Sequence, residues 1–227
     1  MSEELFDLSE KYEAMLQRGL DLSGEDQQFF IRGRVLDLQA RFPRGWAPRR
    51  ILDFGCGVGH TANFMGSLFP EADIVGLDTS ESALTRAKNL CDSPRFSFAH
   101  IQTLPKTETF DLCYVNGVFH HIEPSKWLPA LRDLHRAIAP GGYLALFENN
   151  PWNPGARWVM KRIPFDRDAV PLSSRTTGRL VREAGFKRVS TTRYLFYFPR
   201  MLSWFRFAEP WFAPLPLGAQ YYVLAQK

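Results

Sequence analysis

Residues 51–59 read Ile51-Leu52-Asp53-Phe54-Gly55-Cys56-Gly57-Val58-Gly59. An apolar run ends in three glycines at alternate positions, and a helix-forming stretch continues as far as Phe69. Glycine turns tightly and lets a ligand lie against the backbone. The helix start behind it favours negative charge. The spacing excludes two common variants. A dinucleotide fingerprint needs glycine at position 60, where His60 stands, and a phosphate loop needs a Lys-Ser/Thr pair that is missing here. Asp78 closes the next apolar run, about 20 residues on, where a carboxylate can accept both hydroxyls of a ribose. Taken alone, Asp78 reads equally well as a cap for the helix beginning at Ser80.

Outward from this loop the chain alternates. Strands are expected at Arg49–Phe54, Asp73–Leu77, Arg95–Ala99, Phe110–Val115 and Tyr143–Glu148. Helices are expected at Gly59–Phe69, Ser80–Leu90 and Pro124–Ile138, the last stopped by Pro140-Gly141-Gly142. Before the loop, Leu5–Leu16 reads as one helix. Residues 25–41 read as another, opened by Ser23 and Asp26 in the manner of a capping box. After it, Asn153-Pro154 caps a short helix, and Ser173 or Ser174 caps one ending at Gly185. Val189–Phe198 and Gln220–Gln226 are strand-like. Strands alternating with helices imply a mostly parallel sheet covered on both faces, and the final pair suggests an antiparallel edge.

Four segments carry a family resemblance: DFGCGVG (53–59), VGLD (75–78), FDLCYVNGVFHHI (110–122) and LHRAIAPGGYLALFE (134–148). In that order and spacing, over about residues 48–150, the chain resembles the class I S-adenosylmethionine-dependent methyltransferases. The resemblance implies an α/β fold: a Rossmann-like, seven-stranded, mostly parallel sheet with one antiparallel edge strand and helices on both faces. It divides the chain into an N-terminal helical lid (1–47), a cofactor-binding core (48–150) and a substrate-side cap with the final strands (151–227).

The resemblance also implies roles for single residues. Gly55, Cys56, Gly57 and Gly59 would wrap the methionine part of S-adenosylmethionine. Asp53 would face its amino group and Asp78 its ribose hydroxyls. Thr79 would lie beside the adenine. His100 stands where the family often has an acidic residue on the adenine amine, so Ile101 packing on the ring is the expected substitute. Asn116 and Gly117 would sit by the methionine moiety. Tyr12, and less so Phe6, could cover the sulfonium with an aromatic face.

Methyl transfer from a sulfonium is an in-line displacement, and a general base is needed only where the nucleophile carries a proton. His120, His121 and Glu148 are the catalytic candidates, because all three come after strands at the expected carboxyl edge. Each also has a plain structural reading: His120 as a partly exposed loop residue, His121 as packing, Glu148 as a turn cap. Nothing in the sequence calls for a metal. Asn150-Pro151-Trp152 superficially matches the N-P-P-aromatic motif of nucleic-acid base methyltransferases. It stands after the wrong strand and lacks a proline, so a nucleic-acid substrate is disfavoured.

The composition bounds the rest. The 227 residues are 45% hydrophobic and 23% charged, enough for one cored domain with an appended cap. Three cysteines without metal-ligand spacing fit a reducing cytoplasm. No apolar run reaches membrane-spanning length, and the acidic start is no signal peptide. Residues 1–150 hold 15 basic against 20 acidic residues, and residues 151–227 hold 13 against 4. That basic third, together with a softer likeness of residues 148–173 to bacterial polysaccharide and secondary-metabolite methyltransferases, points to a small, anionic acceptor of sugar or metabolite type. Arg157 and Lys161 would attract it. Nine aromatics within residues 191–215, with Arg193, Arg200 and Arg206 among them, admit three readings: a cap on the pocket, a dimer surface, or a peripheral membrane face serving a lipid-linked acceptor. The rival functions are a nicotinamide-dependent oxidoreductase and a cofactor-binding, non-catalytic partner subunit.

Overall fold

The computed structural model describes residues 17, 19–20, 23–163 and 169–227. The expectations for Leu5–Leu16, Phe6 and Tyr12 lie outside these residues.

The elements run α1 (Gln27–Gln39), β1 (Arg50–Phe54), α2 (His60–Leu68), β2 (Asp73–Asp78), α3 (Glu81–Leu90), β3 (Phe96–His100), β4 (Phe110–Asn116), α4 (Pro124–Ala137), β5 (Ile138–Asn149), α5 (Pro154–Arg162), α6 (Ser174–Glu183), β6 (Arg188–Val189), β7 (Arg193–Leu195), α7 (Glu209–Phe212) and β8 (Gln220–Gln226). The strand order is β3-β2-β1-β4-β5-β8-β6, with β7 also paired to β8. Strands β1 to β5 are parallel, and β8 is antiparallel to its neighbours. The fold is thus the α/β, mostly parallel sheet that the resemblance implies, with eight strands in place of the expected seven.

Alternation along each strand builds the two covering layers. Leu52, Cys113, Leu144 and Val223 face one way, onto Trp127, Leu131 and Leu134 of α4 and Val181 of α6. Their neighbours Ile51, Leu112, Ala145 and Tyr222 face the other way, onto Val35 and Leu38 of α1, Met65 of α2 and Leu84 of α3. Helix α1 is therefore part of the core on that face, rather than only a lid laid over it.

Three local expectations are corrected. Asp26, not Ser23, caps α1: its carboxylate accepts from Phe29 N at 2.8 Å, whereas Ser23 Oγ is taken up with Glu25 N and Leu20 O. Helix α4 ends at Ala137, and Pro140-Gly141-Gly142 lies inside the first half of β5, where the pairing with β4 slips between Phe110 and Leu112. The slip accommodates a proline and a left-handed Gly141 at the bottom of the sheet. The strand expected over Val189–Phe198 is broken into β6 and β7, because the chain adopts a positive φ of 62° at Phe196 and leaves the sheet there. The caps expected at Asn153 and Ser173 each accept a backbone N–H at the start of their helices, and Ser80 does the same for α3.

Candidate active site

The carboxyl ends of β1, β4 and β5 open onto one cavity of about 540 Å³. Ligands bind at this edge of an open α/β sheet, where the strand order reverses. Gly55, Gly57 and Gly59 have φ of 78°, 52° and 86°, a left-handed backbone that only glycine adopts without strain. A Cβ on Gly55 would overlap Val118 at 2.2 Å, and one on Gly57 would meet open space. So Gly55 allows close packing, and Gly57 leaves its face clear for a ligand. Gly59 is buried against Ala87 and Cys91, where it seats α2 on α3.

Asp53 sits beneath this loop, fully buried, with Oδ2 making no hydrogen bond. Burial first, and the charge of Asp78 second, push its carboxyl up to about 7; Arg34 and the Ala62 N–H pull the other way. A buried carboxyl with an unmatched oxygen is suited to an incoming cation. Arg34 is buried in the same wall and lines the cavity. It donates to Tyr114 Oη at 3.1 Å and Gln220 Oε1 at 2.9 Å, both neutral acceptors. Arg34 reaches the cavity wall, whereas Asp53 lies behind the loop and is not part of the lining.

Asp78 orients the loop from the side. Its carboxylate accepts from Gly57 N at 2.8 Å and Ser80 N at 3.0 Å, leaving lone pairs for further donors. Thr79 beside it is exposed. His100 caps the turn Ile101–Thr103, its Nδ1 accepting from Gln102 N, and Ile101 is partly buried. These four residues stand at the β2–β3 edge, outside the cavity lining. Gly55, Cys56, Gly57, Asn116, Gly117, His120 and His121 line it. Cys56 is buried, and desolvation holds its thiol far above the usual range.

His120 and Glu148 form a buried pair. Glu148 Oε2 lies 2.5 Å from His120 Nδ1, and its Oε1 accepts from Phe119 N at 2.8 Å. The turn that carries His120 is pinned by Trp127, whose indole N–H donates to Phe119 O and Ile122 O. His120 is thus a fixed, buried side chain rather than the partly exposed loop residue of its structural reading. His121 is half-buried, its ring 4.1 Å from that of His120.

Sequence reading missed Phe29, Phe30 and Arg34 of α1 on the opposite wall; Phe196 after β7 joins them there, from the aromatic run for which a cap on the pocket was one reading. Phe196 packs edge-on to Phe30 at 4.8 Å, against Gly33, where a Cβ would lie 2.6 Å from its ring. That packing holds its left-handed backbone, a conformation costing about 1–3 kcal/mol in a bulky residue. The signal for Arg34 was available: it shares the stripe Ile31, Val35, Leu38, so a basic residue occupies a core position. Helix α5 turns Ala156, Val159, Met160 and Ile163 inward; Arg157 and Lys161 are exposed and do not line the cavity. The attraction expected of those two is therefore not exerted from the wall. Among the described residues no cluster of three or more His, Cys, Asp or Glu is arranged to hold a metal.

Residues 51–142 match the methyltransferase domain family. Among curated relatives, a trans-aconitate 2-methyltransferase of Methylobacterium nodulans is 37% identical over 150 residues, covering 62% of this chain and 55% of that protein. The enzyme of the same name from Variovorax paradoxus is 35% identical over 111 residues, 48% and 42% of the two chains. The chain spans about half the length of the curated relatives it matches. A SAM-dependent methyltransferase from Archaeoglobus fulgidus superposes with a TM-score of 0.69 at 16% identity, over 89% of this chain and 95% of that one, a likeness of fold. The strand order, the three-glycine turn with its buried Asp53, and the domain match over that turn agree: residues 51–142 match a methyltransferase domain, set in a fold shared with solved SAM-dependent methyltransferases.

Proposed function

We propose that the protein transfers a methyl group to a hydroxyl oxygen of a small, anionic acceptor, with His120 receiving the proton. The observation that carries this reading is the buried His120–Glu148 pair on the wall of the cavity that the glycine loop also lines. S-adenosylmethionine supplies an activated methyl group when bound. Asp53, Arg34 and the loop glycines would hold its amino-acid end, and Asp78 its ribose.

Glu148 is a positioning residue. With Nδ1–H donating to its carboxylate, the neutral imidazole carries its lone pair on Nε2, the form a base requires. The proton of an acceptor hydroxyl passes to that nitrogen, and Glu148 steadies the imidazolium that results. Among the described lining residues the one carboxylate is Glu25, and it is paired with Arg206 at 2.9 Å. An anionic acceptor meets no unbalanced negative charge there. The names of the curated relatives support an anionic acceptor as well.

Those names also favour a second reading, transfer to a carboxylate. A carboxylate oxygen has no proton to lose, so a base adds nothing. Initial rates for the native protein and His120→Ala, with trans-aconitate and a panel of hydroxy acids, separate the two. The proposal expects turnover of a hydroxy acid that falls roughly 100-fold in His120→Ala. Turnover of trans-aconitate at the same rate in both proteins overturns it.

A further inference from the structure

The aromatic run after β7 divides in two. Phe196, Tyr197 and Phe198 turn inward and line the cavity. Beyond Pro199 the large side chains turn outward. Met201, Trp204, Phe207, Trp211 and Leu217, joined by Trp152 from the loop after β5, are each between 63% and 88% exposed. Monomer surfaces carry single apolar residues freely, but six large ones together mark a contact face. The face is held rigidly from below. Asn153 Nδ2 donates to Leu217 O at 2.6 Å, which joins the Trp152 loop to the C-terminal segment. The Tyr197 hydroxyl binds Phe212 O and Leu215 O at 2.6 and 2.7 Å. The ring of Phe207 stands perpendicular to that of Trp211 at 6.2 Å.

We propose that this face seats the protein on an anionic lipid surface, with the cavity mouth beside it. Charge selects the occupant. Glu209 is the sole acidic residue between positions 184 and 227, and its carboxylate is turned inward to accept from Tyr197 N and Phe198 N. Exposed cations flank the ridge: Arg200 next to Met201, and Arg157, Lys161 and Arg162 on the outer side of α5, whose inner side lines the cavity. Tryptophan and phenylalanine between arginines and lysines suit the headgroup layer, where the rings sit at the apolar boundary and the cations meet lipid phosphates. Side chains that stand this far clear of the backbone need no matching shape in a fluid bilayer, whereas a protein partner would have to supply a socket for each. The placement also gives Arg157 and Lys161 a role that they do not have in the cavity wall.

The test is sedimentation of the full chain with phosphatidylcholine vesicles, with and without phosphatidylglycerol. Binding is expected to the anionic vesicles alone, released by salt, and reduced by about tenfold or more in the triple variant Trp204→Ser, Phe207→Ser, Trp211→Ser. These side chains line no cavity, so its cofactor affinity should match the native protein. Should the variant misfold, quenching of native tryptophan fluorescence by brominated lipids reads the same insertion without mutation. No binding to either vesicle overturns the proposal. So does a concentration-dependent dimer that the triple variant dissolves, which would make the ridge an interface between two copies.

Discussion

At the scale of single residues, Asp53 ties the sequence to the chemistry. In β1 its side chain alternates onto the α1 face, at the foot of the glycine turn, and burial then raises its carboxyl to about 7. A folded pKa above the unfolded one stabilises the protein below about pH 4, and that stabilisation is lost as pH rises towards 7. The loss is at most about 4 kcal/mol. Asp53→Asn should therefore flatten the fall in melting temperature of the ligand-free protein between pH 4 and 7; an unchanged profile would place the titration elsewhere. A cofactor ammonium needs the ionised carboxylate, so affinity for S-adenosylhomocysteine should weaken below pH 7, by up to about tenfold per pH unit. Binding independent of pH across that range would remove Asp53 from the site. Asp53 was legible because a motif surrounds it. For Arg34 the apolar stripe signals burial, but its partners Tyr114 and Gln220, 80 and 186 residues away, were not legible.

At the scale of elements, local chemistry was the more legible part. The caps at Ser80, Asn153 and Ser173 arise from side-chain oxygens that reach the third residue of each helix. The failures came where tertiary contacts override local preference. The residues from Val189 to Phe198 have strand-like composition, but the turn at Phe196 is imposed by its seat against Phe30 and Gly33. The hold of β7 and β8 on α1 is equally non-local: Asp37 accepts two bonds from Arg193, at 3.0 and 3.1 Å, and one from the Tyr222 hydroxyl at 2.6 Å. Removing the carboxylate leaves a half-buried guanidinium and a buried phenol unmatched. Asp37→Ala should cost about 2–3 kcal/mol in chemical denaturation. Because Phe196 comes directly after β7, the same variant should loosen the cavity wall. An unchanged midpoint would mean that the β7–α1 contact stands without this carboxylate.

At the scale of the whole molecule, two halves of opposite charge meet around one cavity. The first 150 residues carry the glycine turn and the negative balance, and the remainder carries the positive one. The layered sheet was legible, because strand–helix alternation constrains topology to few choices. The sorting of the C-terminal aromatics into three lining residues and an exposed ridge was not, since composition is the same on both sides of Pro199. Among the described residues no helix is long and apolar enough to cross a membrane. The proposed methyl transfer rests on one claim: the glycine turn, with Asp53 and Arg34, holds the amino-acid end of S-adenosylmethionine. Calorimetric titration with S-adenosylhomocysteine, beside NAD and beside Asp53→Asn, tests it most directly. Micromolar affinity is predicted for the first ligand, none for NAD, and a loss of about tenfold or more in the variant. Binding of NAD, or full affinity in Asp53→Asn, would contradict it.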